Sequence, residues 1–146
     1  MNTGEVLFKI RDYTYTDYHS LMELWDITGV GNAKRGDYPE IIEQTLTIGG
    51  KLILLTEEKS DKIIGSSWLT LDGRRIYLHH FAISPEYQGK KLSKLLLEES
   101  LKFAREKKLQ IKLEVHKDNV TAINLYTKAG FKYLGDYMVY IIRDIV

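Results

Sequence analysis

The sequence contains no cysteine among its 146 residues. This absence excludes disulfide bonds, metal sites built on thiolates and a cysteine nucleophile. The four histidines show no spacing to acidic residues that is typical of a metal site, so we expect no metal. The lack of disulfides also fits a reducing compartment, and we therefore expect a cytoplasmic protein.

The sequence also lacks an apolar run near the roughly 20 residues of a membrane-spanning helix, and its start does not have a signal-peptide pattern. The net charge is only +1, so no broad basic surface predicts binding to nucleic acid or to an anionic membrane. Hydrophobic residues make up 44% and charged residues 28%, which is ordinary for a globular protein. No repeat, linker or low-complexity segment divides the chain, which predicts one domain over 1–146.

Hydrophobic periodicity and turn residues predict the order β-α-α-β-β-β-α-β-α-β-β. This order indicates an α/β (α+β) fold with a mixed, mostly antiparallel central sheet flanked by helices. The predicted strands cover 7–13, 51–56, 63–71, 74–82, 110–115, 131–134 and 137–142. The predicted helices lie between Asp17 and Gly29, from Pro39 to Gly49, over 92–107, and between Asn119 and Gly130, with a loop over 29–37.

A basic, glycine-bearing turn precedes the longest predicted helix. It reads Gln88-Gly89-Lys90-Lys91-Leu92-Ser93 and follows a strand and a Ser84-Pro85 breaker. The first N–H groups of a helix have no internal partners, and the helix dipole adds positive potential there. Three lysines at this end (Lys90, Lys91 and Lys94) add formal charge. The turn therefore predicts a diphosphate site, and an ordinary strand–turn–helix with solvated lysines is the alternative.

A second motif lies towards the C-terminus. It consists of Leu113-Glu114-Val115, then Asn119, Ala122 and Tyr126, and then Gly130-Phe131. Positions 119, 122, 123 and 126 share one stripe of a helix. A helix cap at Asn119 and core packing for the rest would also explain the pattern.

In this order, the two motifs resemble the core of the GNAT superfamily of N-acetyltransferases, over about 77–144. The resemblance implies a GNAT fold and transfer of an acetyl group from acetyl-coenzyme A (acetyl-CoA) to an amine. One departure concerns the turn, which in the family runs Gln/Arg-x-x-Gly/Ala-x-Gly/Ala. This chain has Lys91 and Ser93 at the fourth and sixth positions. Because lysine tolerates helical backbone angles, we expect weaker or slightly shifted diphosphate binding, not its loss.

The resemblance also implies roles for individual residues. Backbone groups of Phe81 and Ile83 would bind the acetyl carbonyl and the pantetheine arm, which is oxyanion-type stabilisation. The Tyr126 hydroxyl would protonate the departing thiolate. The remaining residues that the resemblance assigns to cofactor binding are Gln88, Gly89, Lys90, Lys91, Leu92, Ser93, Lys94, Asn119 and Ala122.

The group that takes the proton of the amine is less clear from the sequence. Candidates are Glu114, His79 and His80, and an amine that arrives neutral needs no dedicated base. Histone-type members of the superfamily have a glutamate base where this chain has Tyr77, so that mechanism does not carry over. Glu114 matches the position used through a water by ribosomal-protein and N-terminal acetyltransferases, and a histidine suits base chemistry near neutral pH. We expect Glu114 or His79.

The acceptor should be a primary amine of a small molecule or a peptide, recognised by the first two helices, their loop and the 72–75 turn. Acidic and basic residues both occur there, so the charge of the acceptor stays open. The resemblance also implies pairing of two copies as a homodimer. Three other functions remain: a CoA-binding regulatory module, a transferase of a longer acyl group and a nucleotide-binding switch. The switch lacks a Walker-type motif and a magnesium ligand.

Overall fold

A five-stranded sheet organises the part of the molecule before Val115. The computed structural model describes residues 6–31 and 33–145. The strands are β1 (Phe8–Asp12), β2 (Lys51–Glu57), β3 (Ile63–Leu71), β4 (Arg75–Ile83) and β5 (Gln110–Leu113). The helices are α1 (Tyr18–Thr28), α2 (Pro39–Thr47), α3 (Leu92–Lys107) and α4 (Val120–Lys128).

The strands lie in the sheet in the order of the sequence. The first four pair with their neighbours in antiparallel fashion, and β5 joins β4 in parallel. A parallel neighbour requires a long crossover, which α3 provides. The predicted mixed, mostly antiparallel sheet flanked by helices is therefore confirmed.

Sequence signals located most element ends well. The limits of β3 and α3 are those predicted, and Gly29 follows α1 with a left-handed φ of +73°, as a helix-ending glycine should. The predicted loop 29–37 contains a 3-10 turn over Ala33–Arg35, and its residue Asn32 lies outside the described residues.

Strand β2 is buried from Leu52 to Thr56, because the sheet has helices on both of its faces. Leu52 and Leu54 pack with α1 and α2 in a core centred on Trp25. The residues between them point to the opposite face, because side chains alternate along a strand. That face carries α3, where the buried Ser67 and Ser100 hydroxyls lie 2.6 Å apart.

The chain divides into two compact units, one up to Glu114 and one from Val115 onward. The second unit consists of α4, which Asn119 caps, and an irregular segment after Gly130. The predicted strands over 131–134 and 137–142 are wrong, because these residues form no ladder. A strand needs a hydrogen-bonded partner as well as an apolar sequence. The large apolar side chains from Tyr133 to Ile145 are 67–93% exposed. The division into one domain stays a prediction.

Candidate active site

A bulge in β4 shapes the centre of the candidate site. Trp68 pairs with His79, whereas Ser66 pairs with Ala82, so β4 has one residue more than β3 between these two pairs. His80 lies at this point and has a left-handed φ of +46°. Bulges bend a strand and redirect its side chains, and they are frequent beside active sites. As a result, the rings of His79 and His80 both lie against Trp68, at centroid distances of 5.9 and 5.1 Å.

His80 is paired with a buried carboxyl group. Its Nε2 lies 2.9 Å from Oδ2 of Asp37, and Asp37 is only 6% exposed. A buried carboxylate is costly unless it is hydrogen-bonded, so this pairing accounts for the position of Asp37. The loop between α1 and α2 brings Asp37 onto the sheet, where its backbone carbonyl accepts a hydrogen bond of 2.7 Å from the Tyr18 hydroxyl.

A hydrogen-bonded chain fixes the bulge to the core. The indole Nε1 of Trp25 donates to the Ser66 hydroxyl at 2.8 Å, and that hydroxyl donates to the His80 carbonyl at 2.7 Å. Trp25 also lies 4.4 Å from the imidazole of His80, measured between ring centroids. The backbone and the ring of His80 are therefore both held by the same helix, α1.

His79 is half-buried and contacts two neighbouring side chains. Its Nε2 lies 2.6 Å from the Thr70 hydroxyl, and its ring stacks on Tyr77 at 4.0 Å. Burial, with a smaller effect from His80, lowers the pKa of His79 to about 4. The ring is therefore neutral at neutral pH and only weakly basic.

Glu114 directly follows β5 and is linked to the same cluster. Burial, with a smaller effect from the nearby Glu114 carboxylate, raises the pKa of Tyr77 well above its usual value. The Lys112 ammonium lies 5.2 Å from the centre of the Tyr77 ring. Glu114 is exposed, so one carboxylate faces solvent beside a phenol that stays protonated. The structure thus brings the predicted residues Glu114 and His79 together through Tyr77.

The predicted anion-binding turn is connected to the end of β4. The Gln88 amide donates to the Ile83 carbonyl at 2.9 Å, so the first residue of the turn is fixed to the last residue of the strand. Gly89 has a φ of +79°. The three lysines of the turn are exposed, and the Lys90 ammonium lies 5.3 Å from the centre of the Tyr87 ring. Of the other predicted residues here, the Leu92 side chain is buried, Ser93 is half-buried and Phe81 lies inside β4.

The expectation of helical backbone angles at Lys91 is wrong. Lys91 is the N-cap of α3 and has left-handed angles, with φ +63° and ψ 14°. Left-handed angles are costly for residues with a Cβ and cost-free for glycine. These angles explain why glycine suits this position, whereas alanine would have the same cost as lysine.

The second motif lies in the C-terminal unit. The Asn119 side chain accepts a hydrogen bond of 3.2 Å from the Ala122 N–H, which confirms the predicted cap of α4. Tyr126 is buried and meets Phe131 edge-on at 5.7 Å. Burial raises the pKa of Tyr126 to about 12. Its phenol therefore stays protonated at neutral pH.

The sequence did not reveal that Asp37 is the partner of His80. These residues are 43 positions apart, and Asp37 follows a polar loop that gives no periodic signal. The only signal in the sequence was the pair of consecutive histidines in a predicted strand. Regular alternation would place these two side chains on opposite faces of the sheet. Among the described residues, no group of three or more His, Asp or Glu side chains could hold a metal ion.

The unit up to Glu114 thus has a bulged fourth strand, a polar cluster at the bulge and a basic helix start after the strand. The family model of the Acetyltransferase (GNAT) family matches residues 18–131. The chain therefore belongs to the GNAT acetyltransferase family.

Curated relatives match part of their own length. Human N-acetyltransferase 8B is 27% identical over 110 residues, which is 70% of this chain and 48% of that protein. An uncharacterized protein of Mycobacterium leprae is 36% identical over 80 residues, which is 52% of this chain and 22% of that protein. The chain thus spans half or less of the length of these relatives.

Solved structures share the fold over most of the chain. Glucosamine-6-phosphate N-acetyltransferase from Arabidopsis thaliana has a TM-score of 0.73 and 19% identity, covering 92% of this chain and 98% of that one. The ribosomal-protein-S18-alanine N-acetyltransferase from Escherichia coli has a TM-score of 0.73 and 20% identity, covering 86% and 78%. Among the described residues, no helix has both the length and the apolar character to cross a bilayer.

Proposed function

We propose that this protein transfers an acetyl group from acetyl-CoA to a primary amine of a small molecule or a peptide, directly and in a ternary complex. The observation that carries the proposal is the connection of the basic turn at Gln88 to Ile83, immediately beyond the bulge in β4. This connection joins the basic start of α3, which is suited to binding phosphates, to the strand that carries the polar cluster. Both lie within the region that the family model matches.

Phosphate binding is supported by charge and by backbone geometry. Exposed lysines at 90, 91 and 94 surround the start of a 16-residue helix, whose first N–H groups and dipole also attract anions. We infer that this turn binds the diphosphate of acetyl-CoA. The backbone of Phe81 and Ile83 would bind the acetyl carbonyl and the pantetheine arm.

The proposed reaction forms one bond and breaks one. The amine nitrogen attacks the thioester carbonyl, a C–N bond forms, the C–S bond breaks, and the amine loses a proton. The CoA thiolate needs a proton, for which we propose Tyr126, because its raised pKa keeps the phenol protonated at neutral pH and so able to donate a proton. With no cysteine, no covalent thioester on the protein takes part.

Glu114 is proposed to act on the acceptor. Its exposed carboxylate attracts an ammonium group, and it lies close enough to the Tyr77 phenol to raise the pKa of that phenol. Removal of the proton through a water, as predicted from the sequence, is a second possible role for the same group. His79 is the weaker base, because its neutral form is strongly favoured by burial. We propose that its main role is to orient Tyr77.

The test begins with calorimetric titration of acetyl-CoA and desulfo-CoA into the protein. A Kd near or below about 100 μM, which is about −5.5 kcal/mol, supports the proposal. A panel of amines follows, with thiol release and product mass as readouts: glucosamine 6-phosphate, a peptide with N-terminal alanine, and a lysine-containing peptide. The first two amines are chosen because the names of the two structural neighbours give acceptors of these kinds.

Three outcomes separate the alternatives. Binding without acetylation of any panel amine favours a CoA-binding regulatory module. Faster turnover with a longer acyl-CoA identifies a different acyl donor. Absence of binding to both coenzymes refutes the proposal and leaves the turn as an ordinary helix start. Light scattering of the same sample tests the predicted homodimer.

A further inference from the structure

The Asp37–His80 pair has the geometry of a base and the group that orients it. An ionised carboxylate only accepts hydrogen bonds, so the contact of 2.9 Å to Asp37 places the proton of the neutral imidazole on Nε2. The other nitrogen, Nδ1, then carries a lone pair. Among the described residues, no hydrogen bond to this nitrogen is present. A neutral His80 in this contact with an ionised Asp37 would have its lone pair on Nδ1, which is the tautomer that accepts a proton there.

Several separate parts of the chain build this pair. The Tyr18 hydroxyl binds the backbone of Asp37, and the indole of Trp25 packs on the imidazole. Gly31 lies directly against the contact: a Cβ at this position would be 2.3 Å from both Oδ2 of Asp37 and Nε2 of His80. Only glycine fits at 31 without displacing the pair. The side chains of the pair are 9% and 17% exposed, so the pair lies at the edge of the core and retains access to solvent.

The position of His80 connects this pair to the reaction. It is the bulge residue of β4 and directly precedes Phe81, whose backbone belongs to the proposed acetyl site. On the basis of the proposed acetyl transfer, we propose that Nδ1 of His80 takes the proton lost by the attacking amine, and that Asp37 is the positioning residue that fixes the tautomer. The proton passes from Nδ1 to solvent, while the thiolate is protonated separately.

The other candidates for the proton are less well arranged. The Nε2 of His79 is occupied by Thr70, and desolvation lowers the pKa of the ring to about 4. The carboxylate of Glu114 is exposed to solvent, so water competes for it. His80 alone among these three groups has a buried anion behind it, which stabilises the imidazolium that forms in the transfer.

Nuclear magnetic resonance of imidazole nitrogens tests the pair without an acceptor. In the wild-type protein with 15N-labelled histidine, we expect His80 as the Nε2–H tautomer. Asp37→Asn should reduce that population, because an amide also donates a hydrogen bond and favours the opposite tautomer. Glu40→Gln, an exposed acidic position at the start of α2, is the matched control and should leave the tautomer unchanged. An Nδ1–H tautomer in the folded wild type would overturn the proposal.

Kinetics tests the role of the pair. The acceptor is the panel amine that the wild type acetylates fastest. His80→Asn keeps a residue that tolerates left-handed angles, and we expect it to lower kcat about 100-fold. Asp37→Asn should lower kcat about 10-fold or more, with KM for acetyl-CoA changed less than about twofold, because general-base effects are of this size. His116→Gln, an exposed histidine outside the elements expected to bind the acceptor, is the control.

The two levels of the proposal fail in different ways. If folded His80→Asn binds acetyl-CoA and retains kcat within about threefold of the wild type, the pair is not the base, and the transferase function stands. If the wild type does not bind acetyl-CoA in calorimetry, the proposed function fails first, and the role of the pair fails with it.

Discussion

Replacement of Lys91 with glycine should remove backbone strain at the start of α3. The change acts on a residue that is exposed and left-handed, with φ +63°. Left-handed angles cost a residue with a Cβ about 1–2 kcal/mol. Glycine in turn loses about 0.5–1 kcal/mol more conformational entropy on folding. The net expected gain in the free energy of unfolding is about 0.5–1 kcal/mol.

Two other lysines close to the ends of α3 provide controls. Lys108 ends α3 with φ +56°, so Lys108→Gly should stabilise by a similar amount. Lys90 is not among the residues with positive φ, so Lys90→Gly should destabilise by about 0.5–1 kcal/mol. The three variants remove the same charge and the same side chain, and because Lys90→Gly also removes a contact with the Tyr87 ring, the comparison rests on the sign of each change.

Urea unfolding gives the free energies, and thermal unfolding should show shifts of about 2–4 °C for each kcal/mol in a chain of this size. A loss of stability in Lys91→Gly equal to that in Lys90→Gly would refute the reasoning. Calorimetry with acetyl-CoA is the second readout. We expect tighter binding in Lys91→Gly, because the sequence departs from the family's glycine or alanine here. Unchanged affinity would show that this departure is unimportant for the diphosphate.

Three further predictions concern ionisable groups. The pKa of His79 is lowered to about 4 in the folded protein, so the unfolded chain binds more protons between about pH 4 and 6.5. The free energy of unfolding should therefore fall by up to about 3 kcal/mol as the pH is lowered through this window. In urea unfolding, His79→Gln should lack this part of the pH dependence. Asp17 binds both terminal nitrogens of Arg11 at 2.8 Å, so Asp17→Asn should lower the free energy of unfolding by about 1–2 kcal/mol. Loss of the more exposed carboxylate in Asp12→Asn should lower it by less than about 0.5 kcal/mol. Equal losses would show that the two-bond geometry adds nothing. Tyr126→Phe should lower kcat about 10–100-fold with the affinity for acetyl-CoA unchanged, and an unaltered kcat across pH would exclude the phenol as the acid.

Much of the sheet could be predicted because its signals are local. The limits of β3 and α3 follow from apolar periodicity, and Gly29 ends α1 because it has no Cβ to oppose left-handed angles. Asn119 caps α4 through a bond to a residue three positions away. Each of these features depends on residues within a few positions of one another.

The features that sequence reasoning missed depend on distant or backbone effects. Asp37, the partner of His80, lies in a loop 43 residues earlier, and no residue pattern indicates the extra residue in β4. The angles of Lys91 are set by the direction in which the chain enters α3, although lysine itself favours helical angles. The apolar segment beyond Gly130 has the composition of strands but no ladder, because pairing depends on a partner that composition does not specify.

The bulge in β4 divides this strand into two phases of alternation. On each side of the bulge, side chains alternate between the two faces of the sheet, and the two alternations are offset by one residue. Deletion of a single residue at the bulge would join the two phases into one regular ladder, so the bulge would no longer redirect the side chains at 79 and 80. The strand therefore tolerates substitution far better than a change in length. Variation in acceptor preference is expected to arise by exchange of side chains around a bulge whose residue count stays fixed.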